Sequence, residues 1–185
     1  CRGRSFWKPL AKNCQNSRSR ELLLSLEAYW HKWSNSYDYV DRFLTPSRFF
    51  CDLVSRRIPA AKISVLPNGV DKTDFSPTFQ DDGYALYFGR ISKEKGIETL
   101  LEAHLPNEKT QQLKIVGTGP LLEDLQGRYE NADFLGYKAG EELKRIIANS
   151  AFVVVPSEWY ENCSMVVLEA MAMGKAVIGT RIAGI

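Results

Sequence analysis

Residues 161–175 read E-N-C-S-M-V-V-L-E-A-M-A-M-G-K. An apolar run, Ala151 to Pro156, precedes them, and another, Ala176 to Thr180, follows. Short apolar runs of that kind predict buried strands, and the stretch between them predicts a helix from about Cys163 to Met173. Met165, Val166, Val167, Leu168, Ala170, Met171 and Met173 make this helix apolar over most of its surface, so it packs into a core. Glu169 stands in the middle of the apolar run. A carboxylate there is costly unless donors reach it, and no Lys or Arg lies three or four residues away. Two sources of donors are open: an Arg from elsewhere in the fold, or a ligand with two adjacent hydroxyls, such as a ribose. At the other end of the helix, Asn162 or Ser164 can act as N-cap. The free N–H groups there belong to the loop at the carboxyl end of the preceding strand. Open α/β sheets bind ligands at that edge, and a helix N-terminus attracts phosphate.

The same strand-then-helix rhythm extends back through the chain. Apolar strands are predicted at Tyr84–Phe88, Leu113–Val116, Ala132–Leu135, Ala151–Pro156 and Ala176–Thr180. Helical patterns lie between them near Lys95–His104, Pro120–Arg128, Ala139–Asn149 and Cys163–Met173. Such alternation predicts an α/β fold with a doubly wound, Rossmann-like parallel sheet and right-handed crossovers. Before it, Glu21–Lys32 predicts a largely buried helix and Tyr39–Leu44 a strand. Ser47 is expected to cap a helix running to about Arg57, and Lys62–Leu66 predicts another strand. From Val70 to Gly83 periodicity is lost, and a domain boundary is placed there, giving residues 1–77 and 78–185.

Composition excludes little: 44% of residues are apolar, 25% are charged, and the formal net charge is +2. Arg2, Arg4, Lys8, Lys12, Arg18 and Arg20 precede the first acid, Glu21, and read as a solvated surface rather than a nucleic-acid site. Cys1, Cys14, Cys51 and Cys163 show no metal or redox spacing. Cys51 and Cys163 read as buried thiols, and reduced cysteines without a signal peptide or spanning helix suit a cytoplasmic location. His31 and His104 read as structural or exposed.

The loops after the predicted strands carry the chemistry. Gly89-Arg90-Ile91-Ser92-Lys93-Glu94-Lys95-Gly96 brings two cations, Arg90 and Lys95, to the ligand edge, where Arg suits bidentate contact with phosphate. Gly117-Thr118-Gly119-Pro120 offers a backbone that a ligand can approach. Gly136-Tyr137-Lys138 can meet a planar base. Cations, glycines, a helix tip and a carboxylate on one edge suit a nucleotide diphosphate with its ribose. No G-x-G-x-x-G follows the first strand, and neither a P-loop nor a G-x-S-x-G elbow occurs.

These residues resemble a known family. P-S-E-W-Y-E-N-C-S-M-V-V-L-E-A-M-A-M-G-K-A-V-I is similar to the E-x7-E signature of family 4 glycosyltransferases, retaining enzymes of the two-domain GT-B fold. T-P-S-R-F-F, V-L-P-N-G-V-D, F-G-R-I-S-K-E-K-G-I-E-T-L, I-V-G-T-G-P and the final A-G-I match in order, over about Leu22 to Ile185. The resemblance implies that the chain is the C-terminal half of such a fold with the end of the acceptor-side domain before it, cut at both ends. It implies transfer of a sugar from a nucleotide-diphosphate sugar to a glycan, lipid-linked or small-molecule acceptor, with retention and without a metal. By the same resemblance Glu161 would contact the donor sugar. Arg90, Lys95 and the backbone at Ser164, Met165 and Val166 would bind the diphosphate. Gly117, Gly119, Tyr137 and Glu169 would hold the nucleotide. Glu161→Gln would then spare free nucleotide. Where the family commonly has G-F-G-L, this chain has Asn162, Cys163, Ser164 and Met165, which narrows the loop. Another GT-B enzyme, such as a nucleotide-sugar epimerase or a phosphorylase, would share the cleft. A response-regulator-like binding module would need an Asp where Arg90 stands. Membrane contact, if any, would come through the acceptor-side domain, and the chain alone is expected to bind a donor but transfer nothing.

Overall fold

The computed structural model describes residues 6–7, 11, 17–104 and 111–185. Arg2, Arg4, Lys8 and Lys12 of the basic run, and Cys1 and Cys14, lie outside them. Contacts divide the chain into two units, one comprising residues up to Leu44 with Val54–Ser64, the other Thr45–Leu53 with Val65–Ile185. Residues 70–77, the part of the expected linker assigned to the preceding domain, therefore group with the sheet. Phe75 packs against its core, and the Thr78 N–H donates to Met173 O at 3.1 Å.

In the first unit, helix α1 spans Arg18–Trp33. It is not buried as expected. Leu22, Leu23, Leu24, Leu26, Trp30 and Trp33 are exposed, whereas Glu21 and Ser25 are buried. The leucines at 22, 23, 24 and 26 wind around the helix, so no single face collects them. The Ser25 hydroxyl donates to Phe6 O at 2.9 Å, which fixes the inward side. The strand expected at Tyr39–Leu44 is replaced by a 3-10 turn, Ser36–Tyr39, and a short β1, Phe43–Thr45. Helix α2, Arg48–Val54, receives its cap as expected, the Phe50 N–H donating to Ser47 Oγ at 3.3 Å. Strand β2, Ile63–Val65, pairs with β1. Cys51 and Cys163 are free thiols and half-buried rather than buried.

The second unit carries a parallel sheet of β3 (Tyr84–Phe88), β4 (Leu113–Val116), β5 (Asp133–Gly136), β6 (Ser150–Val155) and β7 (Ala176–Gly179). The order is β5-β4-β3-β6-β7, with β3 central. Helices α3 (Ile97–Ala103), α4 (Leu122–Arg128), α5 (Gly140–Ala148) and α6 (Met165–Ala172) alternate with the strands. Every residue of β3 is buried, because side chains alternate between two covered faces. Tyr84, Leu86 and Phe88 join Val153, Val155, Ile147 of α5 and Ala170 of α6 on one face. Ala85 and Tyr87 join Leu113, Ile115, Ile97 and Leu101 of α3 and Leu125 of α4 on the other. This is the doubly wound arrangement expected from the sequence. The strand order reverses between β3 and β6, so the crevice at their carboxyl ends is the place where such sheets bind ligands.

The opposite end is closed by structural contacts. Lys175 is buried, and its ammonium donates to Gln80 O at 2.8 Å. The acids before β3 also stay at this end. Asn149 Nδ2 donates to Asp82 Oδ2 at 3.0 Å, and the Gly83 N–H to Asp81 Oδ1 at 2.8 Å.

Candidate functional site

The loops after β3 and β6 flank the crevice and are tied together. The Glu158 N–H donates to Glu94 O at 3.1 Å, and Thr99 Oγ1 donates to the Glu158 carboxylate. Gly96 sits so close that a Cβ would lie 2.0 Å from Pro156 O. Across this junction Lys95 Nζ lies 2.5 Å from Glu161 Oε1, and Ser157 Oγ donates to the same oxygen at 2.8 Å. The Gly184 N–H donates to Glu161 O at 2.9 Å and fixes the loop from its far side. The Glu158 side chain is engaged with the α3 side of the junction.

A cleft of about 760 Å³ opens over the carboxyl ends of β3, β4 and β5. Arg90, Gly117, Gly119 and Tyr137 line it, together with Phe88, Thr118, Pro120, Lys138 and Leu143. The structure thus brings together four of the residues expected to hold nucleotide and diphosphate. Lys95, Glu161, Ser164, Met165, Val166 and Glu169 do not line this cleft and belong to the loops and helix after β3 and β6. Arg90 is exposed. The phenol of Tyr87 donates to Arg90 O at 2.7 Å and braces the turn from below. Burial, with the charges of Glu161 and Glu94, pushes the Tyr87 pKa up, so its hydroxyl stays a donor. Sequence reading passed over Tyr87 as an ordinary strand residue. Its one signal is a phenol next to the last residue of β3, toward the ligand edge.

The two glycines of the β4 loop do more than admit a ligand. A Cβ at Gly117 would lie 1.8 Å from Gly89 O, and one at Gly119 would lie 2.1 Å from Ile91 O. Both positions are therefore filled by the backbone of the β3 loop. The Gly89 N–H bonds to Val116 O at 3.0 Å, the Ile91 N–H to Thr118 O at 2.9 Å, and the Gly117 N–H to Gly136 O at 2.8 Å. These bonds continue the sheet into its loops and shape the cleft floor.

Helix α6 is shorter than expected, eight residues, and Ser164 occupies its N-cap position. The Ser164 side chain makes no capping bond, so the first-turn N–H groups keep their free direction. Further along, Glu169 is half-buried, and no hydrogen bond or ion pair from the described residues reaches its carboxylate. Of the two donor sources left open by the sequence, no Arg among the described residues is in place as the first. Desolvation raises the Glu169 pKa. Among the described residues no three His, Cys, Asp or Glu side chains are grouped as metal ligands. No helix among them is long and apolar enough to cross a membrane.

A parallel Rossmann-like sheet with a glycine- and arginine-lined cleft over the carboxyl ends of its strands is the architecture of one domain of a GT-B protein. The family described as glycosyl transferases group 1 matches residues 82–185, and the chain belongs to that family. The sulfoquinovosyl transferase of Arabidopsis thaliana is 31% identical over 150 residues, covering 72% of this chain and 29% of that protein. The structure of Anabaena HepE in complex with UDP-glucose superposes with a TM-score of 0.68 at 18% identity, over 92% of this chain and 51% of HepE. The lipopolysaccharide outer core galactosyltransferase WaaB superposes with a TM-score of 0.63 at 26% identity, over 79% of this chain and 44% of WaaB. The chain spans less than half the length of the sequence relatives it matches, from 29% to 45% for two of them.

Proposed function

We propose that this chain is the donor-binding part of a glycosyltransferase that moves a sugar, with retention, from a nucleotide-diphosphate sugar to a glycan, lipid-linked or small-molecule acceptor. The observation that carries this reading is Glu169. A half-buried carboxylate without a protein partner stands on the helix whose uncapped N-terminus follows the switch-point strand. A ribose diol supplies the two missing donors, and the diphosphate extends to Arg90 and the first-turn amides of α6. The base then lies in the cleft against the Tyr137 backbone, over Gly117 and Gly119. Glu161, at the β6 loop, is left for the hydroxyls of the transferred sugar. Retention is carried over from the family resemblance, and no side chain is assigned as nucleophile.

UDP, the nucleotide of the HepE ligand, is the probe for a direct test by calorimetry. Arg90→Ala is expected to lower affinity for UDP about ten- to a hundredfold, the value of a charge-assisted bond to phosphate. Equal affinities for the two proteins would remove Arg90 from the diphosphate site. In the complete protein, release of free nucleotide is expected only when acceptor is present, which separates transfer from epimerisation and phosphorolysis.

The charge of the leaving diphosphate is met here by Arg90, Lys95 and helix dipole, all of which act without a metal ion. Turnover by the complete protein is therefore expected to survive excess chelator unchanged. Loss of turnover, restored by magnesium or manganese, would contradict that account.

A further inference from the structure

We infer that Glu161 competes with the product nucleotide for Lys95 and so weakens the hold of the site on free diphosphate. This rests on the donor-site reading above and deepens it. Lys95 and Glu161 form a short ion pair, 2.5 Å, with side chains 35% and 16% exposed. Neither partner can move off by shifting its loop. Gly96, next to Lys95, is pressed against Pro156 O, and the Glu158 N–H is bonded to Glu94 O. Glu161 is held further by the Ser157 hydroxyl and by the Gly184 N–H at its own carbonyl.

A diphosphate that recruits Lys95 must draw the ammonium from Glu161 or share it. With a nucleotide sugar bound, sugar hydroxyls donate to Glu161 and replace the lost ion pair. With free nucleotide they are missing, and Glu161 is left short of a donor in a largely buried place, which costs binding free energy. The same carboxylate that reads the sugar therefore favours release of the nucleotide once the sugar has gone. The sequence alone leads one to expect that Glu161→Gln spares free nucleotide; on this inference the substitution tightens it instead. The amide cannot hold Lys95 by charge, so the ammonium becomes available to phosphate.

UDP titrated by calorimetry into wild type, Glu161→Gln, Lys95→Ala and the double variant tests this. Glu161→Gln is expected to bind UDP about two- to fivefold more tightly, the range of a partly exposed ion pair. In the Lys95→Ala background the same substitution is expected to give less than half that gain. A role of Glu161 in loop structure alone would weaken binding in both backgrounds. If wild type binds UDP and Glu161→Gln binds it equally or less well, the inference is overturned and the donor site stands. A gain as large without Lys95 also overturns it. No binding of UDP by wild type would overturn the donor-site reading and the inference together.

Discussion

Gly117→Ala is expected to destabilise the chain by about 3–5 kcal/mol, enough to remove a large part of a typical domain's stability. The Cβ would be placed 1.8 Å from Gly89 O, a backbone atom with no rotamer to change. The residue also has φ +138, where a side chain is strained whatever the space. Relief would need the β3 and β4 loops to part. That breaks the bond from the Gly89 N–H to Val116 O and the bond from the Ile91 N–H to Thr118 O. Urea unfolding should show the midpoint falling sharply, and the residual folded protein should have lost UDP binding. Gly127→Ala is the control. Gly127 lies inside α4, a Cβ there meets nothing within 4 Å, and its φ is not positive. Alanine at that position is expected to add about 0.5–1 kcal/mol, because helix glycine loses more backbone entropy on folding. Equal midpoints for wild type and Gly117→Ala would show that the two loops are not packed as described.

The contrast between these glycines shows where sequence reading stops. A bare G-x-G has the same appearance whether a ligand or another loop presses on it. The neighbour that decides it, Gly89, lies on the preceding βα unit. By contrast β3 and β4 were readable residue for residue, since central parallel strands are covered on both faces and become mainly apolar runs, broken here only by Lys114. Helix α1 misled for the related reason that apolar density does not say which face is covered. At the site, Glu169 stood out because a carboxylate inside an apolar helix is an anomaly on its own strand–helix unit. The partnership of Lys95 with Glu161, 66 residues apart, gave no such signal. Each residue reads alone as a ligand contact, and only the strapped loops reveal that they hold each other.

Glu169→Gln is expected to do two things of opposite sign. Affinity for UDP should fall about ten- to a hundredfold, because two charge-assisted bonds from the ribose hydroxyls become neutral ones, each weaker by about 1 kcal/mol. Stability of the unliganded chain should rise. Desolvation raises the Glu169 pKa above its unfolded value. A group raised in this way contributes stability that is fully present below its unfolded pKa and lost as pH rises through the folded one. Above the raised pKa the wild-type carboxylate carries that loss, and the neutral amide avoids the desolvation penalty. Thermal melts across pH should place Tm of the variant above wild type on the alkaline side of that pKa, with the gap narrowing as pH falls and Glu169 takes up its proton. Binding should follow the same titration. Wild-type affinity should drop as pH falls through the raised pKa, while the Gln variant keeps only the pH dependence of the UDP phosphate itself. A residue kept for packing would show loss of stability with loss of binding. A variant both more stable and unable to hold the nucleotide identifies a carboxylate placed there for the ligand. Equal UDP affinities for the two proteins above the raised pKa, where Glu169 is charged, would take Glu169 out of the site.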